Sequence, residues 1–167
     1  MRAERRVRAG RAWVLLLVVL LMAGGAAAQL RPCPPATPDE ARRMAERAAS
    51  LLERVGPERA FRAFMDPAGP FIERDLYVFV FDKSGILHAS GAFPQMVGSD
   101  ASGAQDTSGR FFIREMLRLA FGTKKGAGWV EYRMLSPCSG RFDGKVSYIK
   151  RVGRFLVGVG AYGTVSA

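Results

Sequence analysis

Residues 75–85 read DLYVFVFDKSG, and the alternation in this stretch decides the fold. In an extended chain Tyr77, Phe79 and Phe81 point to one face and Leu76, Val78 and Val80 to the other. Both faces are apolar, so the strand needs a cover on each side. The DKSG turn and the following ILHAS segment, residues 86–90, complete an antiparallel hairpin.

The covers lie on either side of the hairpin in sequence. Upstream, Thr37-Pro38-Asp39-Glu40 forms a capping box with proline at the first helical position, which predicts a helix starting there. Ala41, Met44, Ala45, Ala48, Leu51, Leu52 and Val55 recur at helical spacing until Gly56-Pro57 stops them. A short second helix fits residues 58–65. Downstream, residues 91–108 form a long loop rich in Gly, Ser, Asp and Ala, and loops of that length inside a compact domain are commonly functional. GRFFIREMLRLAFG, residues 109–122, then reads as a helix, and GWVEYRML, GKVSYIKRV and RFLVGVGAY as three strands. The pattern predicts an α+β domain with one five-stranded antiparallel sheet. The N-terminal helix lies on one face and the loop-helix segment crosses the other, leaving room for a cavity beneath the segment.

Chain-wide features set further bounds. At 167 residues the chain holds one ordinary domain. Residues 1–28 have the form of a signal peptide: a basic start, an apolar run from Ala12 to Ala23, and small residues for cleavage after Ala28. That run is well short of the roughly twenty residues that span a bilayer, so a periplasmic or secreted protein is expected, with anchoring by the uncleaved segment as the alternative. Residues 29–37 form a proline-rich spacer, and the domain proper is expected over 38–165. Net charge is +10, but Arg2, Arg5, Arg6, Arg8 and Arg11 against Glu4 belong to the leader, leaving about +6 scattered among acids. No nucleic-acid partner is expected from so dispersed a charge.

The site inventory argues against catalysis. His88 is the sole histidine, and no nucleophile-base pair, paired carboxylates, zinc motif or haem motif accompanies it. Asp66, Asp75, Asp82, Asp100 and Asp106 neighbour turn residues and suit turns and caps. Gly158, Gly160 and Gly163 precede no phosphate-binding helix. No catalytic residue, cofactor or metal is expected. Cys33 and Cys138 are a candidate disulfide in an oxidising compartment; two free thiols or an intermolecular bridge stay open. A binding role draws on Trp129, Tyr132, Lys145, Tyr148 and Tyr162, which place rings and one cation on three neighbouring strands. An ammonium and a few tyrosine hydroxyls in an apolar wall suit a small carboxylate. Alternation puts Trp129 opposite in facing to Tyr132, and Lys145 to Tyr148, so not all five share a pocket.

Residues 45–100, then DTSGRFFIREML, then GAGWVEY through GVGAY, resemble the single Cache domain, the extracytoplasmic sensor module of many bacterial chemoreceptors and sensor kinases. The resemblance runs from about Ala41 to Tyr162 and rests most on DLYVFVFD, GWVEY and KVSYIKRVG in that order. It implies a PAS-like sheet holding a small carboxylate metabolite beneath the loop and helix, no catalysis, and a membrane sensor kinase or chemoreceptor as signalling partner; a homodimer stays open. By position it implies Tyr77, Trp129, Lys145 and Tyr148 as ligand-binding residues, with Phe79 on the same strand face as Tyr77. Where relatives often read AHG.NP this chain reads ASGAFP, so Ser90 and Phe93 stand at the usual His and Asn positions. His88, two residues away, is expected on the same strand face as Ser90, as a stand-in imidazole. The rival expectation is an interaction module of the same fold whose pocket Phe93 closes.

Overall fold

A computed structural model describes residues 33–163 of the chain. The expected signal peptide, the start of the spacer and the last residues of the expected domain lie outside the described residues.

Helix α1 spans Pro38–Val55 and begins with the capping box: the Thr37 hydroxyl accepts from the Glu40 N–H, while the Glu40 carboxylate accepts from the Thr37 N–H. Asp39 and Glu40 in its first turn and Arg54 in its last complement the helix dipole. Ala41, Ala45, Ala48 and Ala49 dominate its buried face, and their small side chains let the helix lie close on the sheet, with Met44 and Leu52 filling the gaps. Helix α2, Pro57–Phe64, buries Ala60 and Phe64.

The sheet contains β1 (Ile72–Glu73), β2 (Leu76–Asp82), β3 (Leu87–Ser90), β4 (Ala127–Leu135), β5 (Phe142–Val152) and β6 (Phe155–Tyr162). All its pairings are antiparallel, in the order β1-β2-β6-β5-β4, with β3 also paired to β2. The sixth strand, unread in the sequence, is β1. It is only two residues long and doubles back through Arg74, whose φ of 58° is unusual for a side-chain-bearing residue. The Arg74 guanidinium is held by the Glu40 carboxylate at 2.6 Å, which fastens this turn to α1.

Two cores result, one on each face of the sheet. Leu76, Val78 and Val80 join Val157, Val159 and the α1 face in one; Tyr77, Phe79 and Phe81 join Ile149, Leu156 and helix α3 (Phe112–Gly122) in the other. The opening stretch is therefore a strand buried on both sides, as its alternation requires. Asp75, immediately before β2, is almost fully buried and accepts from the Ala36 N–H at 2.8 Å and the Tyr162 N–H at 3.1 Å. One carboxylate thus joins the approach to α1 to the end of β6. Cys33 and Cys138 are bonded, their Cα atoms 5.8 Å apart, tying the same approach to the β4–β5 loop.

The long loop is pinned to the hairpin. The Leu87 N–H donates to the Ser99 carbonyl, the Gly98 N–H to the Leu87 carbonyl, and the Ala101 N–H to the Gly85 carbonyl. Farther on, Asp106 accepts from Ser108 and Arg110 through one carboxylate oxygen and from the Arg133 N–H through the other. Burial opposes its charge, but these bonds prevail and hold its pKa at about 2. The loop is thereby stapled to edge strand β4.

Candidate functional site

A hollow of about 100 Å³ lies between the sheet and the loop-helix cover. Its floor comes from Tyr77, Phe79 and Phe81 of β2, Leu87 and Ser90 of β3, and Tyr132 and Met134 of β4. Phe93, Met96, Ala101 and Ala104 of the loop and Phe112 and Ile113 of α3 close it from above. The Phe112 ring stacks on Tyr132 with centroids 4.4 Å apart, and Phe93 meets Tyr77 edge-on at 5.8 Å.

At one end of this floor the hydrophobic wall gives way to a buried polar cluster. Register places Tyr132 opposite Lys145 and Lys145 opposite Tyr162. Lys145 is 1% exposed, and its Nζ lies 3.8 Å from the centre of the Tyr77 ring and 4.6 Å from that of Tyr162. Its hydrogen bond, a long one of 3.4 Å, goes to the Tyr162 hydroxyl. Among the described residues no carboxylate lies within ion-pair distance of it. Asp75 is the acid that acts on it electrostatically, and both Asp75 oxygens already accept from backbone N–H groups. Burial therefore depresses the Lys145 pKa well below that of a free lysine, with Asp75 only partly offsetting it. Burial likewise raises the pKa values of Tyr77, Tyr132 and Tyr162, so all three hydroxyls remain protonated. Tyr162 gives its proton to the Leu135 carbonyl at 2.8 Å, which leaves Tyr77 as donor in the 3.1 Å Tyr77–Tyr162 bond.

Several expected site residues come together, and others do not. Tyr77, Phe79, Ser90 and Phe93 line the hollow. Lys145 is separated from it by the Tyr77 ring, which lines the hollow and also carries the amine against it. Trp129 and Tyr148 are directly paired but lie on the α1 side of the sheet: Tyr148 belongs to the helix-side core, under the Arg42 guanidinium, and Trp129 is 39% exposed. Alternation forces this, because each is an odd number of residues from the Tyr132–Lys145 pair.

His88 is also displaced from its expected face. The β2–β3 register shifts between Val80 and Phe81, pairing Val80 with Ala89 and Phe81 with Leu87, so His88 is the extra residue of a bulge. Ser90 and Leu87 face the hollow, whereas the His88 ring packs between Phe61 and Phe155 and its Nε2 lies 3.0 Å from the Asp82 carboxylate. The imidazole expected to stand in for the missing one points away from the pocket.

Two glycines unassigned in the sequence support the floor. Gly158 lies opposite Phe79, and a Cβ there would strike that ring; a Cβ on Gly160 would strike the Ser147 hydroxyl and the Lys145 stem. Gly160→Ala is expected to cost about 1–3 kcal/mol and to displace Lys145. Urea denaturation checks the first effect; a variant as stable as the parent would show that the floor yields without cost. Among the described residues no cluster of His, Cys, Asp and Glu could hold a metal ion, and no helix is long and apolar enough to cross a membrane.

Comparison with known proteins gives this site a family. The family model described as Single Cache domain 2 matches residues 42–164. No curated protein matches the chain. Among solved structures, a methyl-accepting chemotaxis protein from Vibrio parahaemolyticus RIMD 2210633 is similar at TM-score 0.65 and 15% identity, over 74% of this chain and 86% of that one. The periplasmic sensor domain of a chemotaxis protein gives 0.59 and 23%, over 75% and 90%. A Cache chemosensory domain described for its carboxylic acid recognition gives 0.63 and 21%, over 75% and 92%. The family match covers almost all the described residues and the fold agrees with it: this chain belongs to the single Cache domain family.

Proposed function

We propose that this chain is an exported sensory domain that binds a small organic acid and passes the signal to a membrane receptor or sensor kinase. The observation that carries the proposal is Lys145: a fully buried amine with no carboxylate partner among the described residues, packed against the Tyr77 and Tyr162 rings and bonded to the Tyr162 hydroxyl at the end of an apolar hollow. A carboxylate supplies the charge that this group lacks, and the dry surroundings strengthen the contact. The ligand's acid end meets the Tyr77 hydroxyl first and reaches the amine as the Tyr77 ring turns aside. The hollow that persists beneath Phe93 favours a ligand-binding domain over a closed interaction module.

The linkage has a definite sign. Burial depresses the Lys145 pKa, and a bound carboxylate raises it again, so binding takes up a proton at pH values between the two. Short monocarboxylates are expected to raise the melting temperature. Their calorimetric enthalpies should differ between buffers of high and low ionisation heat by an amount equal to a fraction of a proton or more. If no acid in a broad panel raises the melting temperature, the proposal fails. Binding with the same enthalpy in every buffer would remove Lys145 from it.

A further inference from the structure

Resting on the organic-acid reading, we infer that the acid bound here carries a compact hydrocarbon tail of about four carbons and no second polar group. The hollow is walled by Phe79, Phe81, Leu87, Met96, Ile113 and Met134, with few polar atoms among them. The polar side chains that line it are few, and each makes a hydrogen bond within the protein. The Ser90 hydroxyl oxygen accepts from the Phe93 N–H, Tyr132 is bonded to the Ser147 hydroxyl at 3.0 Å, and Tyr77 is bonded to Tyr162. A hydroxyl, keto or second carboxyl group on the tail would leave water, where it is fully hydrogen-bonded, for a wall that offers little beyond the Ser90 hydroxyl proton. The polar capacity of the site is concentrated at one end, at Tyr77, Tyr162 and Lys145, and that end suffices for one carboxylate.

Size narrows the class further. A dry cavity of about 150 Å³ accepts benzene, with six carbons. The hollow here, about 100 Å³, is two-thirds as large and matches a tail of about four. Acetate would leave most of it empty, and longer or aryl acids would have to displace the loop, which is fastened to β3 and to β4.

The test is calorimetry on the protein expressed from its full sequence, with acetate, isovalerate, hexanoate, malate and 3-hydroxy-3-methylbutyrate, an isovalerate analogue with a hydroxyl on its tail. Each buried CH₂ is worth about fourfold in affinity, so isovalerate is expected to bind on the order of fiftyfold more tightly than acetate. It should exceed its hydroxylated analogue, malate and hexanoate by about tenfold or more. Ala104→Leu, which fills the hollow from the loop side, should weaken isovalerate about tenfold more than it weakens acetate; Ala101→Leu serves if the first variant melts abnormally. If malate or the hydroxylated acid binds as well as isovalerate, the inference is overturned while the organic-acid reading stands. Isovalerate affinity unchanged in both filled variants also overturns it, because the tail then lies elsewhere. Failure of every acid overturns both.

Discussion

A Lys145→Met protein is expected to be more stable than its parent and to bind organic acids far more weakly. The two effects share a cause. Methionine keeps most of the lysine stem's volume over Gly160 and removes an amine whose burial no ion pair among the described residues compensates. Replacing buried ionisable groups with apolar ones of similar size is neutral to stabilising, by up to about 4 kcal/mol. Loss of the charge-assisted bond to the ligand costs about 1.5–3 kcal/mol, or roughly 10- to 150-fold in affinity. The pH dependence follows from the depressed Lys145 pKa. Above the pKa of an unfolded lysine, near 10.5, the amine is neutral in both states and carries no penalty for charge burial. As pH falls below that value the unfolded chain gains the proton first, so the parent loses stability relative to the variant until the folded-state pKa is passed. Denaturant titrations of both proteins between about pH 6 and 10 should show the gap widening toward acid. A variant less stable than the parent at pH 7, or one with parental affinity for acids, would mean that the amine is neither the strained nor the binding element.

Reduction of the Cys33–Cys138 bond is expected to lower stability by about 3–5 kcal/mol. The bond closes a loop with a sequence separation of 105, and in the chain-entropy picture a loop of that order is worth about 4.7 kcal/mol. For a domain of this size that is a fall in melting temperature of about 10–20 °C. Scanning calorimetry with and without a thiol reductant, with mass spectrometry of alkylated cysteines to establish which state is present, checks it. Melting temperatures within about 2 °C of each other would show that the unfolded chain gains little from release of the crosslink.

The parts of the fold that could be read from residues are those set by neighbours in sequence. The α1 cap needs only Thr37 and Glu40, and the double-faced character of β2 only its own alternation. The phase of the later strands was also within reach. Val152 and Phe155 pair across a two-residue turn, and counting outward from that pair brings Lys145 opposite Tyr162. The same counting excludes Tyr148 from the cluster. The His88 bulge was not legible, because it coincides with backbone bonds from Ser99 and Gly98 returning to Leu87 from ten or more residues away. Met96, Ala101 and Ala104 had no periodicity to mark them as pocket wall, since loop residues are placed by turns and staples. Gly158 and Gly160 were visible as glycines, but what they make room for lies on other strands.

The bulge at His88 also bears on how such a pocket can diverge. Chemistry at this position of the wall is allotted by chain length as much as by residue type: lose the single codon for Leu87, and the imidazole inherits the place opposite Phe81 without any substitution. A lineage carrying this irregularity can therefore exchange a greasy wall for a basic one by an in-frame deletion. Point-by-point comparison of aligned columns would record that exchange only as a gap.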